Sequence, residues 1–179
     1  AFKPIDKEKA KLQLQGNLGI TGDFLLFVST IEPRKNLPTL LRAFRQLLDS
    51  YDASVKLVVA GSRGWLFDEV FDLTERLDLT ENVLYVGRVS NQELVALYNA
   101  AEALVLPSLY EGFGLTPLEA MACGTPVVVS NVSSLPEVVG DAGITFDPTD
   151  AEELTVALSR VLHDSELRAK LQTKGLKRA

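Results

Sequence analysis

The chain alternates short, mainly apolar runs with turns bearing glycine, proline or asparagine and with segments of helical spacing, without an internal sequence repeat. Phe24-Leu25-Leu26-Phe27-Val28 is the clearest run, followed by Val55 to Ala60, Val83 to Val86, Ala103 to Leu106, Pro126 to Val129 and the shorter Gly143 to Phe146. A strand that is apolar on both sides has to be covered on both faces. The intervening segments supply the cover. Leu37, Leu40, Leu41, Phe44, Leu47 and Leu48 fall on one helical face, and further helices are expected over about 66–78, from Ser90 to about Ala101, from Thr116, over 133–139, from Asp150 to about Leu162, and over 167–176. Strict alternation of this kind implies an α/β fold: a doubly wound, Rossmann-like parallel sheet with helices on both faces. Such sheets bind ligands beyond the carboxyl ends of their strands. The loops that follow strands, 29–36, 61–65, 87–89 and 107–116, should therefore open on one rim.

The chain has 179 residues, enough for a single well-filled core. We expect one folded domain over 24–179, with 1–23, where Lys3, Lys7, Lys9 and Lys11 crowd together, as a lead-in from an interdomain linker. A start at Ala1-Phe2-Lys3-Pro4 rather than Met fits a piece of a longer protein. The net charge of −6 argues against a nucleic-acid partner, which wants a basic face, but leaves room for one small anion held by local cations. Cys123 is the single cysteine, so no disulfide framework or thiolate metal cluster exists, and a reducing cytoplasm fits. No apolar run reaches the roughly 18 residues of a transmembrane helix. With His163 as the one histidine, placed after a late helix, neither a histidine-based triad nor a histidine metal site is available. No metal and no cofactor is expected, and the P-loop pattern is missing.

The stretch Ser108 to Ser130 carries most of the chemistry. Gly112 and Gly114, with Phe113 between them, make a loop whose backbone can approach a ligand closely or take positive φ. Thr116-Pro117-Leu118-Glu119 reads as a complete helix start, with Thr116 as N-cap and Glu119 closing a capping box, and Gly124 suits the far end. A helix N-terminus behind a glycine loop offers N–H groups to an anion. Two readings of Glu119 stand side by side: partner of Thr116 in the cap, or acceptor for the two hydroxyls of a ribose. Glu111 has no capping role and faces a ligand or solvent from its loop. In Glu32-Pro33-Arg34-Lys35-Asn36, two adjacent cations are able to neutralise a diphosphate, and since neighbours point apart, one of them should face the site. Asn36 is expected to cap the following helix. Gly61 and Arg63 lie in a second rim loop, where Trp65 is expected at the edge of the core. Val86, Gly87 and Arg88 end the third strand, where backbone groups can meet the edge of a nucleobase.

These pieces together resemble the retaining family 4 glycosyltransferases, in Phe27 to Leu37 and above all in Pro107 to Ser130, where seven residues separate Glu111 from Glu119 before Ala120-Met121-Ala122-Cys123-Gly124-Thr125-Pro126-Val127. The resemblance implies the C-terminal, donor-binding half of a GT-B enzyme. It implies that Glu111 contacts the transferred sugar as the catalytic glutamate and that Glu119 binds ribose hydroxyls. Lys35, with Arg34, would hold the diphosphate, helped by N–H groups around Gly114, Leu115 and Thr116, while 86–89 approaches the base. Ser29-Thr30 stands where many relatives carry Gly-Arg. The Pro33 to Asn36 and Gly61 to Trp65 pieces look like the mannosyltransferase-like branch, which favours GDP-mannose as donor and a saccharide or lipid-linked saccharide as acceptor. An N-terminal Rossmann-like domain would bring that acceptor in polysaccharide biosynthesis, at the inner face of a membrane. Two other readings are a non-catalytic nucleotide-sugar-binding module and half of a sugar-nucleotide epimerase.

Overall fold

A computed structural model describes residues 2–51, 54–65 and 67–179. Its six strands are β1 (Phe24–Val28), β2 (Lys56–Ala60), β3 (Val83–Gly87), β4 (Ala103–Leu106), β5 (Val127–Ser130) and β6 (Gly143–Phe146). They form one sheet in the order β3-β2-β1-β4-β5-β6, and every adjacent pair is parallel. The expected doubly wound sheet is therefore present, with strand ends shifted by a residue: β2 starts at Lys56, and β5 runs from Val127 to Ser130.

Among the described residues the α-helices are α1 (Lys7–Leu18) ahead of the first strand, α2 (Leu37–Ser50), α3 (Phe67–Arg76), α4 (Asn91–Ala100), α5 (Leu115–Ala122) and α6 (Leu135–Val139) between strands, and α7 (Ala151–His163) and α8 (Ser165–Arg178) after the last. Residue 66, where the sequence places the start of α3, lies outside the described residues. The alternation of side chains along each strand sorts the core into two halves. Leu25, Phe27, Leu57, Val59, Val105 and Val128 face α2, α3 and α7, whereas Phe24, Leu26, Val58, Leu104, Leu106, Val127 and Val129 face α1, α4 and α5. Burial on both faces is why these strands contain almost no polar residue.

Local chemistry sets several boundaries. Ser90 Oγ accepts the Glu93 N–H at 3.2 Å and Glu93 Oε2 accepts the Ser90 N–H at 2.8 Å, so the capping box that opens α4 forms as read. The Asp150 carboxylate accepts the Glu153 N–H at 2.9 Å at the head of α7. At the end of α5, Gly124 takes φ 78° and donates to the Met121 carbonyl while Thr125 donates to Ala120, a Schellman arrangement that only the left-handed glycine allows cheaply. His163 closes α7, its Nδ1 donating to the Ser159 carbonyl at 2.9 Å. Ahead of β1, α1 packs on α4 through its buried Ala10 and Leu14. No helix among the described residues is long and apolar enough to cross a membrane.

Candidate functional site

Strand order reverses between β1 and β4: the chain starts at β1, moves outward through β2 and β3, then returns to β4 on the other side of β1. In open α/β sheets the crevice at such a switch point, beyond the carboxyl ends of the strands, is where ligands bind. Lys35 comes from the loop after β1 and Glu111 from the loop after β4. Lys35 Nζ donates to both oxygens of the Glu111 carboxylate, at 2.9 and 2.7 Å, and the two side chains are only 9% and 14% exposed. An ion pair so shielded is desolvated at a cost, which bidentate contact offsets. The Glu111 N–H also reaches Ser133 Oγ at 3.4 Å. Arg34 pairs within its own loop instead, its Nε 2.6 Å from Glu32 Oε1 with the arginine side chain half exposed. One cation of the adjacent pair thus faces the crevice, and it is Lys35.

Asn36 binds the rim together. Its left-handed backbone, φ 56°, ends the short 3-10 turn Pro33–Lys35 and starts α2. It stands at the N-cap position as expected, but its side chain does not cap. The buried Nδ2 donates to the Pro107 carbonyl at 2.9 Å and the Pro148 carbonyl at 2.8 Å, while Oδ1 accepts from Thr39 Oγ1 at 2.9 Å. Three loops, after β1, β4 and β6, therefore meet on one amide. The Leu109 N–H adds a bond to the Arg34 carbonyl at 2.8 Å.

The helix start at 114–119 differs from its sequence reading. Gly114, at φ 86°, is the N-cap, α5 begins at Leu115, and no side chain bonds to its first turn. The left-handed glycine turns the chain earlier than a Thr116 cap would. Thr116 and Pro117 then fall inside the first turn, where a missing proline N–H costs nothing. The capping box does not form. Its loss leaves the first-turn N–H groups of α5 open at the end of the glycine loop, next to the exposed Gly112, Phe113 and Leu115.

Glu119, freed from the cap, accepts the Tyr98 O–H of α4 on Oε2 at 2.9 Å. Burial pushes the Glu119 carboxyl above its ordinary value and the Tyr98 hydroxyl donation partly opposes this; burial and the adjacent carboxylate push Tyr98 up as well. Glu119 lines a cleft of about 820 Å³ with Asn91, Leu94 and Val95 of α4 and Phe2 and Ile5 of the N-terminal segment. The sequence reading does not single out Tyr98. A tyrosine on the buried face of an amphipathic helix needs a partner for its hydroxyl, and that is the available signal.

A second hollow, of about 260 Å³, opens on the same side of the sheet, lined by Ser29, Thr30, Gly61, Ser62, Arg88 and Val89 among others. Its walls are stitched by backbone bonds: Ser29 N–H to Ala60 O at 3.0 Å, Ile31 N–H to Ser62 O at 3.0 Å and Gly61 N–H to Gly87 O at 2.8 Å. Thr30 Oγ1 and Ser62 Oγ stand 3.2 Å apart where the hollow opens. Val86 and Gly87 instead line a separate hollow on the opposite side, with Arg63, Phe67 and Tyr85. The Arg63 guanidinium sits 4.6 Å from the centre of the Phe67 ring, so the structure does not bring Arg63 to the Lys35–Glu111 crevice. Trp65 is not at the core edge: it is 79% exposed. It stands on the wall of an open hollow of about 250 Å³, with Ile31, Pro38, Val70 and Leu73.

A family model described as "Glycosyl transferases group 1" matches residues 8–178. The "O-antigen chain mannosyltransferase B" of Escherichia coli is 44% identical over 156 residues, 87% of this chain and 41% of that protein. A sucrose-phosphate synthase structure from Thermosynechococcus elongatus superposes with a TM-score of 0.86 at 32% identity, over 99% of this chain and 44% of that one. The solved C-terminal domain of LpcC, a group 1 glycosyl transferase family protein from Francisella tularensis, has a TM-score of 0.84 over 98% of this chain and 92% of its own, at 23% identity, a likeness of fold alone. The chain thus spans less than half the length of the mannosyltransferase and the synthase, and nearly all of a separately solved C-terminal domain.

Proposed function

The chain belongs to the group 1 glycosyl transferases, and on that premise we propose that it is the donor-binding half of a retaining hexosyltransferase that takes GDP-mannose. The observation that carries this reading is the shielded Lys35–Glu111 pair at the β1/β4 crevice, next to an uncapped helix start. A diphosphate leaving group gathers negative charge as the bond to the sugar breaks, and an ammonium and N–H groups fixed beforehand stabilise that charge. Lys35 supplies the ammonium; Gly114, Leu115 and Thr116 supply the N–H groups. Glu111 accepts hydroxyls of the hexose and holds its ring against the diphosphate. Glu119 accepts the ribose hydroxyls, with Tyr98 fixing one of its oxygens. The hollow between Gly61 and Arg88 takes the base, walled by the backbone around Ser29 and Ser62. With the diphosphate on the same face as the acceptor, the incoming hydroxyl attacks from the leaving-group side, which keeps the anomeric configuration.

Mannose is favoured by the 44% identity to a protein named a mannosyltransferase. The acceptor, a saccharide or lipid-linked saccharide, approaches against a second Rossmann-like domain of a longer protein, in the cytoplasm and at the inner face of a membrane when the acceptor is lipid-linked. Calorimetric titration of the chain with GDP, UDP and ADP tests the reading. GDP should bind most tightly, and no binding of any of the three at about millimolar concentration, the weakest range of specific recognition, would overturn it.

A further inference from the structure

Both cations of the loop after β1 are neutralised by glutamates: Arg34 by Glu32 of its own loop, Lys35 by Glu111 within the crevice. Resting on the reading of this crevice as a nucleotide-sugar site, we infer that Glu111 has a second role, making the site prefer the sugar-bearing donor over the free nucleoside diphosphate left after transfer. The argument is one of donors and acceptors. Lys35 Nζ has three N–H donors, and two point at Oε1 and Oε2 of Glu111. The side chain is 9% exposed, so little water replaces a lost partner. A phosphate oxygen arriving at Lys35 must share that ammonium with a carboxylate that only accepts.

The two ligands meet this arrangement differently. In a nucleotide-sugar, the terminal phosphate is esterified and carries one charge fewer, and the hexose hydroxyls donate to Glu111. The carboxylate then exchanges part of its hold on Lys35 for hydroxyl donors, and the ammonium turns to the diphosphate. Free nucleoside diphosphate brings an additional negative charge and no donor. It competes with Glu111 for one ammonium, with both acceptors drawn close together. The Glu111 N–H bond to Ser133 Oγ and the Leu109 N–H bond to the Arg34 carbonyl hold the loop against retreat. Glu111 thus weakens the product and leaves the donor unpenalised, which favours release after each transfer.

The test is calorimetric titration of the chain and its variants with GDP and with GDP-mannose. In Glu111→Gln, which keeps the shape and removes the charge, GDP should bind about tenfold more tightly, the worth of one shielded charged contact. GDP-mannose should change by less than about threefold or weaken, so that the ratio of the two affinities moves about tenfold or more. Glu111→Asp retains the charge and should keep the wild-type ratio within about threefold, whereas Lys35→Gln should weaken GDP by about tenfold. Equal shifts for both ligands in Glu111→Gln, weaker GDP binding there, or an Asp variant that behaves as Gln does would each overturn the inference. Wild-type chain that binds neither GDP nor GDP-mannose, and neither UDP nor UDP-glucose, would overturn the donor-site reading itself; a uridine preference moves the same comparison to UDP and UDP-glucose.

Discussion

A β-carbon at Gly61 would stand 1.8 Å from the Ser29 carbonyl oxygen, and φ there is 145°. Both facts belong to the seam that joins the loops after β1 and β2, so Gly61→Ala should cost about 3 kcal/mol or more in denaturant unfolding, from strain and lost seam bonds together. Gly16, inside α1 and with nothing within 4 Å of an added β-carbon, should respond the opposite way: Gly16→Ala should stabilise by about 0.5–1 kcal/mol. Glu119 carries a pH prediction. Its carboxyl is raised from an ordinary 4.5, chiefly by burial, so the folded protein holds that proton where the unfolded chain has lost it. Stability should therefore fall as pH rises from about 4.5 through the folded value and level off above it, and Glu119→Gln should flatten this segment of a pH-resolved unfolding series. Ribose hydroxyls donate best to the ionised carboxylate, so GDP affinity should drop as pH is lowered through the same window. At this scale the sequence is half readable. Glu111 and Lys35 stand out by chemistry and by loop position. Tyr98 and the amide of Asn36 do not, because their partners lie 21 and more than 70 residues away and local pattern holds no record of them.

Among the elements, the strands are legible because each is buried on both faces and leaves its signature in consecutive residues. The helix starts are legible where a side chain makes the cap, as at Ser90, and misread where a backbone angle makes it, as at Gly114. Thr116, Pro117 and Glu119 satisfy the cap pattern, yet a left-handed glycine two positions upstream of Thr116 settles the boundary first. The short turn ahead of α2 shows what elements exchange through one residue. Asn36 ties the loops after β1, β4 and β6, and Asn36→Ala would leave the Pro107 and Pro148 carbonyls without that donor. We expect a loss of about 2–3 kcal/mol in unfolding free energy, from two buried bonds and an unfavourable left-handed alanine. Hydrogen exchange at the Leu109 amide should quicken in step, because its bond to Arg34 depends on the same loop contact. If that exchange stays at the wild-type rate, Asn36 does not hold the rim.

For the whole molecule, the site is a property of the sheet order rather than of any one loop. Binding that requires the assembled sheet stabilises it by mass action. GDP at about one hundred times its dissociation constant should add about 2.7 kcal/mol to the unfolding free energy, with a higher melting temperature in a thermal scan. Lys35→Gln, with affinity weaker by about tenfold, should lose about half of that increment at the same concentration, read as the difference between liganded and ligand-free unfolding. The reversal of strand order between β1 and β4 also has a consequence in time. Lys35 and Glu111 are 76 residues apart in sequence, and they meet only once β4 has returned to the inner side of β1. On a ribosome, β1, β2 and β3 are able to pair before Glu111 has been made, and closing the long excursion is the slow, entropically costly step. An early intermediate built of those three strands has Lys35 but no partner for it. Nucleotide binding during refolding would then serve as a clock, appearing only when β4 has docked beside β1 and staying silent through everything that precedes it.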